Sequence, residues 1–341
     1  MVTMQDISLK AGVSKSTVSH ILNGRETALR ISDATRDRVL EAAHELGYRL
    51  NSSARAMSRG SFGGIALLQA IPETRSFAPQ ELLDGIYEEL ARHDWHLMLS
   101  RLTDEQLCDE SVVPKILREW LADGLLIDYI DHIPARLGNL IARAKIPAIW
   151  MNSRQEFDCV FPDDFEAATR ATRFLLELGH TKIAYVDYMH NWTPGQESHY
   201  SAHERIKGYQ HAMRDAHLTP RLLHEPTFVA HEERLALCQN WLSRPDRPSA
   251  VLCYGTEASV LIHAAALVGL RVPRDLSVMN FGAKNENFCS QPMTSMLGPF
   301  HDLGRVAVQT LHEKILAPDQ KIAPRQVSFG FQEGVTTAPA P

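Results

Sequence analysis

Residues 13–23 read VSKSTVSHILN, a run of small hydroxyls interrupted by one lysine and one histidine. Val18, Ile21 and Leu22 fall at i, i+3 and i+4, the spacing of one apolar helix stripe. Lys15, Ser16, Ser19 and His20 must then project from the other side. A solvated helix face normally carries paired glutamates and lysines rather than this set. Hydroxyls and the partial positive charge of a helix start suit phosphate oxygens, so the chemistry expected here is recognition of a polyanion.

The elements that would position these residues are legible on either side. Thr3 with Asp6 three residues on forms a short capping box for a first helix, with Ile7 and Ala11 inward. Gly12 supplies a turn, and Ser14 is a second N-cap for a helix through about Asn23. A third helix starts near Ser32, with Val39, Leu40, Ala43 and Leu46 expected in the core and Gly47 ending it. Two short helices joined by a glycine turn and locked by a third make a helix-turn-helix, whose second helix fits the DNA major groove. Charge agrees: residues 1–60 hold nine Lys/Arg and six Asp/Glu, whereas the whole chain has a formal net charge of -6.

From Phe62 onward strands and helices alternate. GGIALLQAI, HLMLSRL, DGLLIDYI and IPAIWM read as strands. FAPQELLDGIYEELARHDW (Leu82, Leu83, Ile86 and Leu90 inward), VVPKILREWLA and IPARLGNLIARAK read as the helices between them. Near-continuous apolar strands in this rhythm predict a parallel sheet covered on both faces. The rhythm restarts with the helix FEAATRATRFLLELGH, the strand TKIAYVDYM and the helix SAHERIKGYQHAMRDAHL, followed by RPSAVLCYG and RDLSVMNFG as later strands. Two repeats of one layered plan predict two lobes with a cleft between them, the usual location for a small ligand.

At 341 residues, with 44% hydrophobic and 22% charged residues, two or three globular domains are expected. No apolar run reaches the roughly 18 residues of a membrane helix. MVTMQDISLK lacks the features of a secretory signal, and Cys108, Cys159, Cys238, Cys253 and Cys289 are unclustered, which together suggest a cytoplasmic protein with reduced thiols. Eight of the sixteen histidines fall between 180 and 231, and His199 and His203 lie four apart. Two such ligands without a third read as surface histidines rather than a metal site. No nucleophile elbow, phosphate loop or zinc-protease motif is present, so neither an enzyme nor a cofactor is expected.

DISLKAGVSKSTVSHILN resembles the DNA-binding signature of the lactose-repressor/galactose-repressor family, roughly D-[VI]-A-x-x-A-G-V-S-x-x-T-V-S-x-x-[LIV]-N. Asp6, Ile7, Ala11, Gly12, Val13, Ser14, Thr17, Val18, Ser19 and Asn23 match, and Ser8 stands where alanine is usual. The resemblance implies that Lys15, Ser16 and His20 read bases, with Ser14, Thr17, Ser19 and Asn23 nearer the DNA backbone. LNSSARAMSRG is similar to the family hinge, P-N-x-x-A-R-x-L, which forms a helix on the operator and wedges an apolar side chain into the minor groove. Arg55 matches the family arginine, Met57 takes the wedge position, and Leu50 replaces the proline.

LLELGHTKIAYV, the R-x-x-G-Y of Arg205, Gly208 and Tyr209, PSAVLCYG and GLRVPRDLSVMNFG resemble landmarks of the same family's effector domain. That domain is similar to periplasmic sugar-binding proteins, with a crossover back to the first lobe near PMTSMLGPF. The implied fold is an all-α helix-turn-helix domain on an α/β periplasmic-binding-protein-like core of two parallel-sheet lobes. The implied division is a head at 1–49, a hinge at 50–60, one lobe at 61–161 plus 292–325, a second at 162–291 plus 326–337, and a tail at 338–341. The cleft departs from the family pattern. Pro162-Asp163 replaces an Asp-Asn pair, Thr256 (beside Glu257) replaces an aspartate, and Asn280-Phe281-Gly282 replaces Gly-Tyr-Asp. Arg205 is the leading ligand contact, with Ser201 on the same helical face, and an arginine that only ties its lobe together is the alternative. Asp163, Thr256, Phe77 and Trp192 complete the candidate effector set. The resemblance implies a homodimeric regulator, in the first instance a repressor, on double-stranded operator DNA, controlled by a small, carbohydrate-related effector. The rival expectations are a regulator that has lost its effector, and an α/β binding protein or enzyme with a helical appendage.

Overall fold

The structure, a computed structural model, describes residues 2–23, 31–49, 60–71, 75–109, 111–119, 121–130, 133–188, 198–225, 229–282, 287–288 and 291–341. It divides into two compact units, residues 1–64 with 121–123, and 65–120 with 124–341.

The first unit contains α1 (Met4–Ala11), α2 (Lys15–Leu22) and α3 (Asp33–Glu45), each started by a hydroxyl side chain. Thr3 accepts from the Asp6 N–H while the Asp6 carboxylate accepts from the Thr3 N–H, a complete capping box. Ser14 accepts from the Thr17 N–H and Ser32 from the Thr35 N–H. Gly12 turns the chain at φ 65, a left-handed conformation that a side chain disfavours. Ile7, Ala11, Val18, Ile21, Val39, Ala42 and Ala43 form the core. Leu40, expected there, is 46% exposed. The inward stripe of α3 runs through Val39, Ala42 and Ala43, and Leu40 lies about 100° off it. Leu46 packs at the margin, as does Tyr48.

The second unit holds two six-stranded sheets. Along the chain come β1 (Gly64–Ala70), α4 (Gln80–Arg92), β2 (His96–Leu102), α5 (Asp104–Cys108), α6 (Lys115–Arg118), β3 (Gly124–Asp128), α7 (Ala135–Ala144), β4 (Ala148–Met151) and β5 (Cys159–Pro162). There follow α8 (Asp164–Glu177), β6 (Ile183–Asp187), α9 (Tyr200–Asp215), β7 (Arg221–His224), α10 (Arg234–Leu242), β8 (Ala250–Tyr254), α11 (Gly255–Leu267) and β9 (Ser277–Gly282). The remainder is a small hairpin of β10 (Asn287–Phe288) and β11 (Gln291–Pro292), then β12 (Thr294–Leu297), α12 (Phe300–Leu316), β13 (Arg325–Val327) and β14 (Gly330–Gln332). The sheets are ordered β13-β5-β4-β3-β1-β2 and β14-β12-β9-β8-β6-β7. Both are parallel through their central strands, and β14 joins its sheet antiparallel, on β12.

Several expectations shift. β2 is an edge strand rather than a buried one, with Leu99 58% exposed and Leu102 its one buried residue. The helix read from VVPKILREWLA shrinks to four residues after Pro114. β5, a four-residue strand, is not among the strands read from the sequence. β12 pairs with β9, so the chain stays in the second lobe through Leu297 and crosses just before Phe300, not at 292. α12 then packs Leu303, Ala307, Val308 and Leu311 onto the first sheet. β13 pairs with β5, which moves the return crossing to residues 328–329.

Candidate functional site

On α2 the side chains sort by what they hold. The Ser14 hydroxyl lies 2.7 Å from Ser16 Oγ and 2.8 Å from Thr17 Oγ1 while capping the helix at 3.1 Å. Asn23 Nδ2 donates to the Ser19 carbonyl at 2.7 Å. These contacts fix a rigid hydroxyl surface over the first turn, where the unpaired helix N–H groups collect. Lys15 and Ser16 are exposed, and Thr17, Ser19 and His20 are half-buried. Lys10 is held at 2.5 Å by Glu45, whereas Lys15 makes no ion pair among the described residues. Ser8 is buried and donates to the Val13 carbonyl at 2.6 Å, bracing the turn that aims α2. Arg55 and Met57 lie outside the described residues.

The second candidate site is built on the crossing of α8 and α9. A Cβ on Gly208 would lie 2.2 Å from the Phe165 carbonyl oxygen, so only glycine permits this approach. One turn earlier, Arg205 Nε donates to Asp164 Oδ1 at 2.7 Å. The guanidinium also lies over Tyr254 at 4.4 Å, Phe281 at 4.3 Å and Phe329 at 5.6 Å. Burial works against the Arg205 cation, but Tyr254, Asp164 and Tyr185 outweigh it and raise its pKa. The Tyr185 hydroxyl is buried without a hydrogen-bond partner in this nest. Burial, and then the Asp164 charge, push the Tyr200 hydroxyl up, so it stays a neutral donor.

The structure thus brings Arg205 and Ser201 to one helix, beside a carboxylate that sequence reading passed over. Asp163 and Asp164 divide the work: Asp163 caps α8 through the Glu166 N–H at 3.1 Å, and Asp164 turns inward to Arg205. Phe77 is 46% exposed and meets Phe300 edge-on at 5.3 Å. Thr256 is exposed in the first turn of α11. No contact of either with Arg205 is seen among the described residues, and Trp192 lies outside them. Glu257, its neighbour, is buried and accepts from the Tyr188 and Tyr254 N–H groups at 2.8 and 3.0 Å. In the first lobe, burial raises the Asp128 carboxyl to about 6 against opposing hydrogen bonds from Gln69 and Phe77. His199, considered with His203 for a metal, instead bonds the Asn152 carbonyl and Ser201. No group of three or more metal-ligating side chains assembles among the described residues.

Comparison with known proteins gives these surfaces a context. The family model for bacterial regulatory proteins of the lacI family matches residues 3–51, and that for a periplasmic binding protein-like domain matches 172–336. An HTH-type transcriptional repressor PurR from Aliivibrio salmonicida is 29% identical over 324 residues, covering 92% of both chains. A ribose operon repressor from Haemophilus influenzae is 27% identical over 325 residues, covering 94% of both. The fold matches a lac repressor dimer bound to operator and the anti-inducer ONPF, with TM-score 0.76, 21% identity and 99% of both chains covered. It also matches a complex of the regulator CelR with cellobiose, with TM-score 0.62, 20% identity and coverage of 98% and 100%. The head is thus a DNA-binding domain of the lacI family of bacterial regulatory proteins, joined to a periplasmic binding protein-like domain.

Proposed function

We propose that this chain is a cytoplasmic transcriptional repressor whose hold on an operator is set by a small molecule bound between its two lobes. The observation that carries the reading is α2, a hydroxyl-rich helix with an open lysine, capped by Ser14 and aimed by the Ser8 bond. Lys15, Ser16 and His20 read base edges in the major groove, while Ser14, Thr17, Ser19 and Asn23 face the phosphate backbone. Arg55 and Met57 serve the minor groove, Met57 as the wedge. The repressor relatives support regulation rather than catalysis. A homodimer reads a near-palindrome, because a twofold protein demands a twofold site. Exposed Met98 and Leu99 on the β2 edge offer apolar area for the second copy.

Arg205, Ser201 and Asp163 form the effector floor, with Phe77, Thr256 and Trp192 as wall. Since Asp164 already neutralises Arg205, the site holds a carbohydrate-related ligand without the usual paired carboxylates. That same pairing, within an aromatic nest, favours as second reading a regulator whose floor no longer takes an effector.

Fluorescence anisotropy against promoter fragments of the genes flanking this one tests the reading. One fragment is expected to bind with roughly nanomolar affinity, falling steeply with salt, and roughly a thousandfold tighter than scrambled DNA. Affinity indifferent to sequence would overturn it.

A further inference from the structure

We propose that His199 is the positioning residue of the effector floor, tying Ser201 to the first lobe through a hydrogen-bond chain whose direction is fixed. The inference rests on the effector reading above and adds how the floor is coupled to the opposite lobe. His199 precedes the first turn of α9, and its Nε2 lies 2.8 Å from the Asn152 carbonyl oxygen, just past β4 of the first sheet. A carbonyl only accepts, so Nε2 carries the proton. A neutral imidazole has one N–H, which leaves Nδ1 bare, and Ser201 Oγ at 2.7 Å must donate to it. Ser201 has no second hydrogen. Toward any ligand it can therefore only accept.

The receiving end is built to be held. Asn152 has φ 49, a left-handed conformation, and its own N–H donates to the Val160 carbonyl at 2.9 Å. The Tyr200 hydroxyl, next along from His199, lies 3.4 Å from both Asn152 Oδ1 and the Pro162 carbonyl. Its ring meets Phe161 edge-on at 5.5 Å. Arg154 reaches Glu204 at 3.3 Å from the same loop. One helix thus presents Ser201 and Arg205 to the cleft and grips the first lobe by its opening turn. A ligand that shifts Ser201 pulls on Asn152 through a single ring.

Hydrogen exchange by mass spectrometry on the full-length chain, without ligand, separates the ring's two contacts. His199→Gln keeps a donor where Nε2 stood, whereas His199→Asn keeps a group only where Nδ1 stood. Exchange in 148–156 is expected to rise about tenfold in His199→Ala and His199→Asn, and to return toward the parent in His199→Gln. Operator affinity of the ligand-free chain is expected to change in step, about tenfold for His199→Ala and under about twofold for His199→Gln. Equal protection in His199→Asn and His199→Gln would overturn the proposal, as would rising exchange with unchanged operator affinity. If His199→Ala fails to fold, the Gln/Asn pair alone decides. Absence of sequence-specific binding by the parent chain defeats the repressor reading separately, because the exchange pattern does not depend on DNA.

Discussion

Ser8 and Ser14 stand on either side of the first turn, one buried against the Val13 carbonyl and the other exposed over the first turn of α2. Removing the Ser8 hydroxyl leaves a half-buried carbonyl unpaired, which costs about 1 kcal/mol. Ser8→Ala should accordingly lower the urea midpoint of the head and leave base preference alone. Ser14→Ala loses a cap, again about 1 kcal/mol, but it also removes a hydroxyl that we propose faces the phosphates. Its affinity should fall by a similar factor on every DNA sequence tested. Lys15→Ala and His20→Ala belong to a third kind. Neither side chain supports the core, so stability should move by less than about 0.5 kcal/mol while the ranking of operator variants changes. Anisotropy on a panel of single-base operator variants separates the three: uniform loss for Ser14, reordered preference for Lys15 and His20, no change for Ser8. A reordered ranking in Ser14→Ala would move that residue from backbone to base.

Secondary elements meet through a few polar staples that sequence periodicity does not reveal. Glu257 in the first turn of α11 accepts from the backbone of both Tyr188 and Tyr254, joining the ends of β6 and β8. Glu257→Ala orphans two buried N–H groups and should cost about 2–4 kcal/mol, with Glu257→Gln intermediate because one oxygen remains. Urea unfolding measures both, and a loss under about 1 kcal/mol for the alanine variant would show that water replaces the carboxylate. What was legible beforehand follows from the same physics. α4, α8 and α9 are long enough for a 3.6-residue stripe to emerge, and Gly208 of R-x-x-G-Y stands at the closest helix contact. β2 misled because an apolar run does not say whether a neighbour covers it, and Leu40 because one helix carries more leucines than its core face needs. The Asp164 partner of Arg205 was hidden by adjacency: Asp163 looks equivalent until the helix start turns the two carboxylates apart. His199 was unreadable because its partner Asn152 lies 47 residues earlier.

Across the whole chain, the C-terminal residues are laced back onto the second lobe, and one imidazole joins three separate segments. His180 Nδ1 lies 2.9 Å from Ser249 Oγ, and its Nε2 lies 3.1 Å from Ser277 Oγ and 3.0 Å from the Ala338 carbonyl. Beside it Ala340 N–H donates to the Leu178 carbonyl and Val278 N–H to that of Thr336. Burial lowers the His180 pKa, against a smaller raising effect of the Ala338 carbonyl. The folded chain therefore keeps the ring neutral at a pH where the unfolded chain, with a histidine pKa of about 6.5, already binds a proton. The stability His180 contributes is present above that pH and is lost as pH falls below it, by at most about 1.4 kcal/mol per pH unit. Asp128 acts with the opposite sign. Its carboxyl, raised to about 6, makes the folded state the better proton binder between the ordinary aspartate value and 6, so stability there is lost as pH rises. The two slopes partly cancel in the parent protein, and only a difference measurement isolates the histidine. Urea unfolding of the parent and His180→Gln at pH 7.5 and 5.5 supplies it. The stability gap between them should narrow by about 1 kcal/mol on acidification, because Asp128 is common to both. A gap that stays constant would mean that the ring takes up its proton inside the fold, on Nδ1, with the Ser249 hydroxyl turning to accept it.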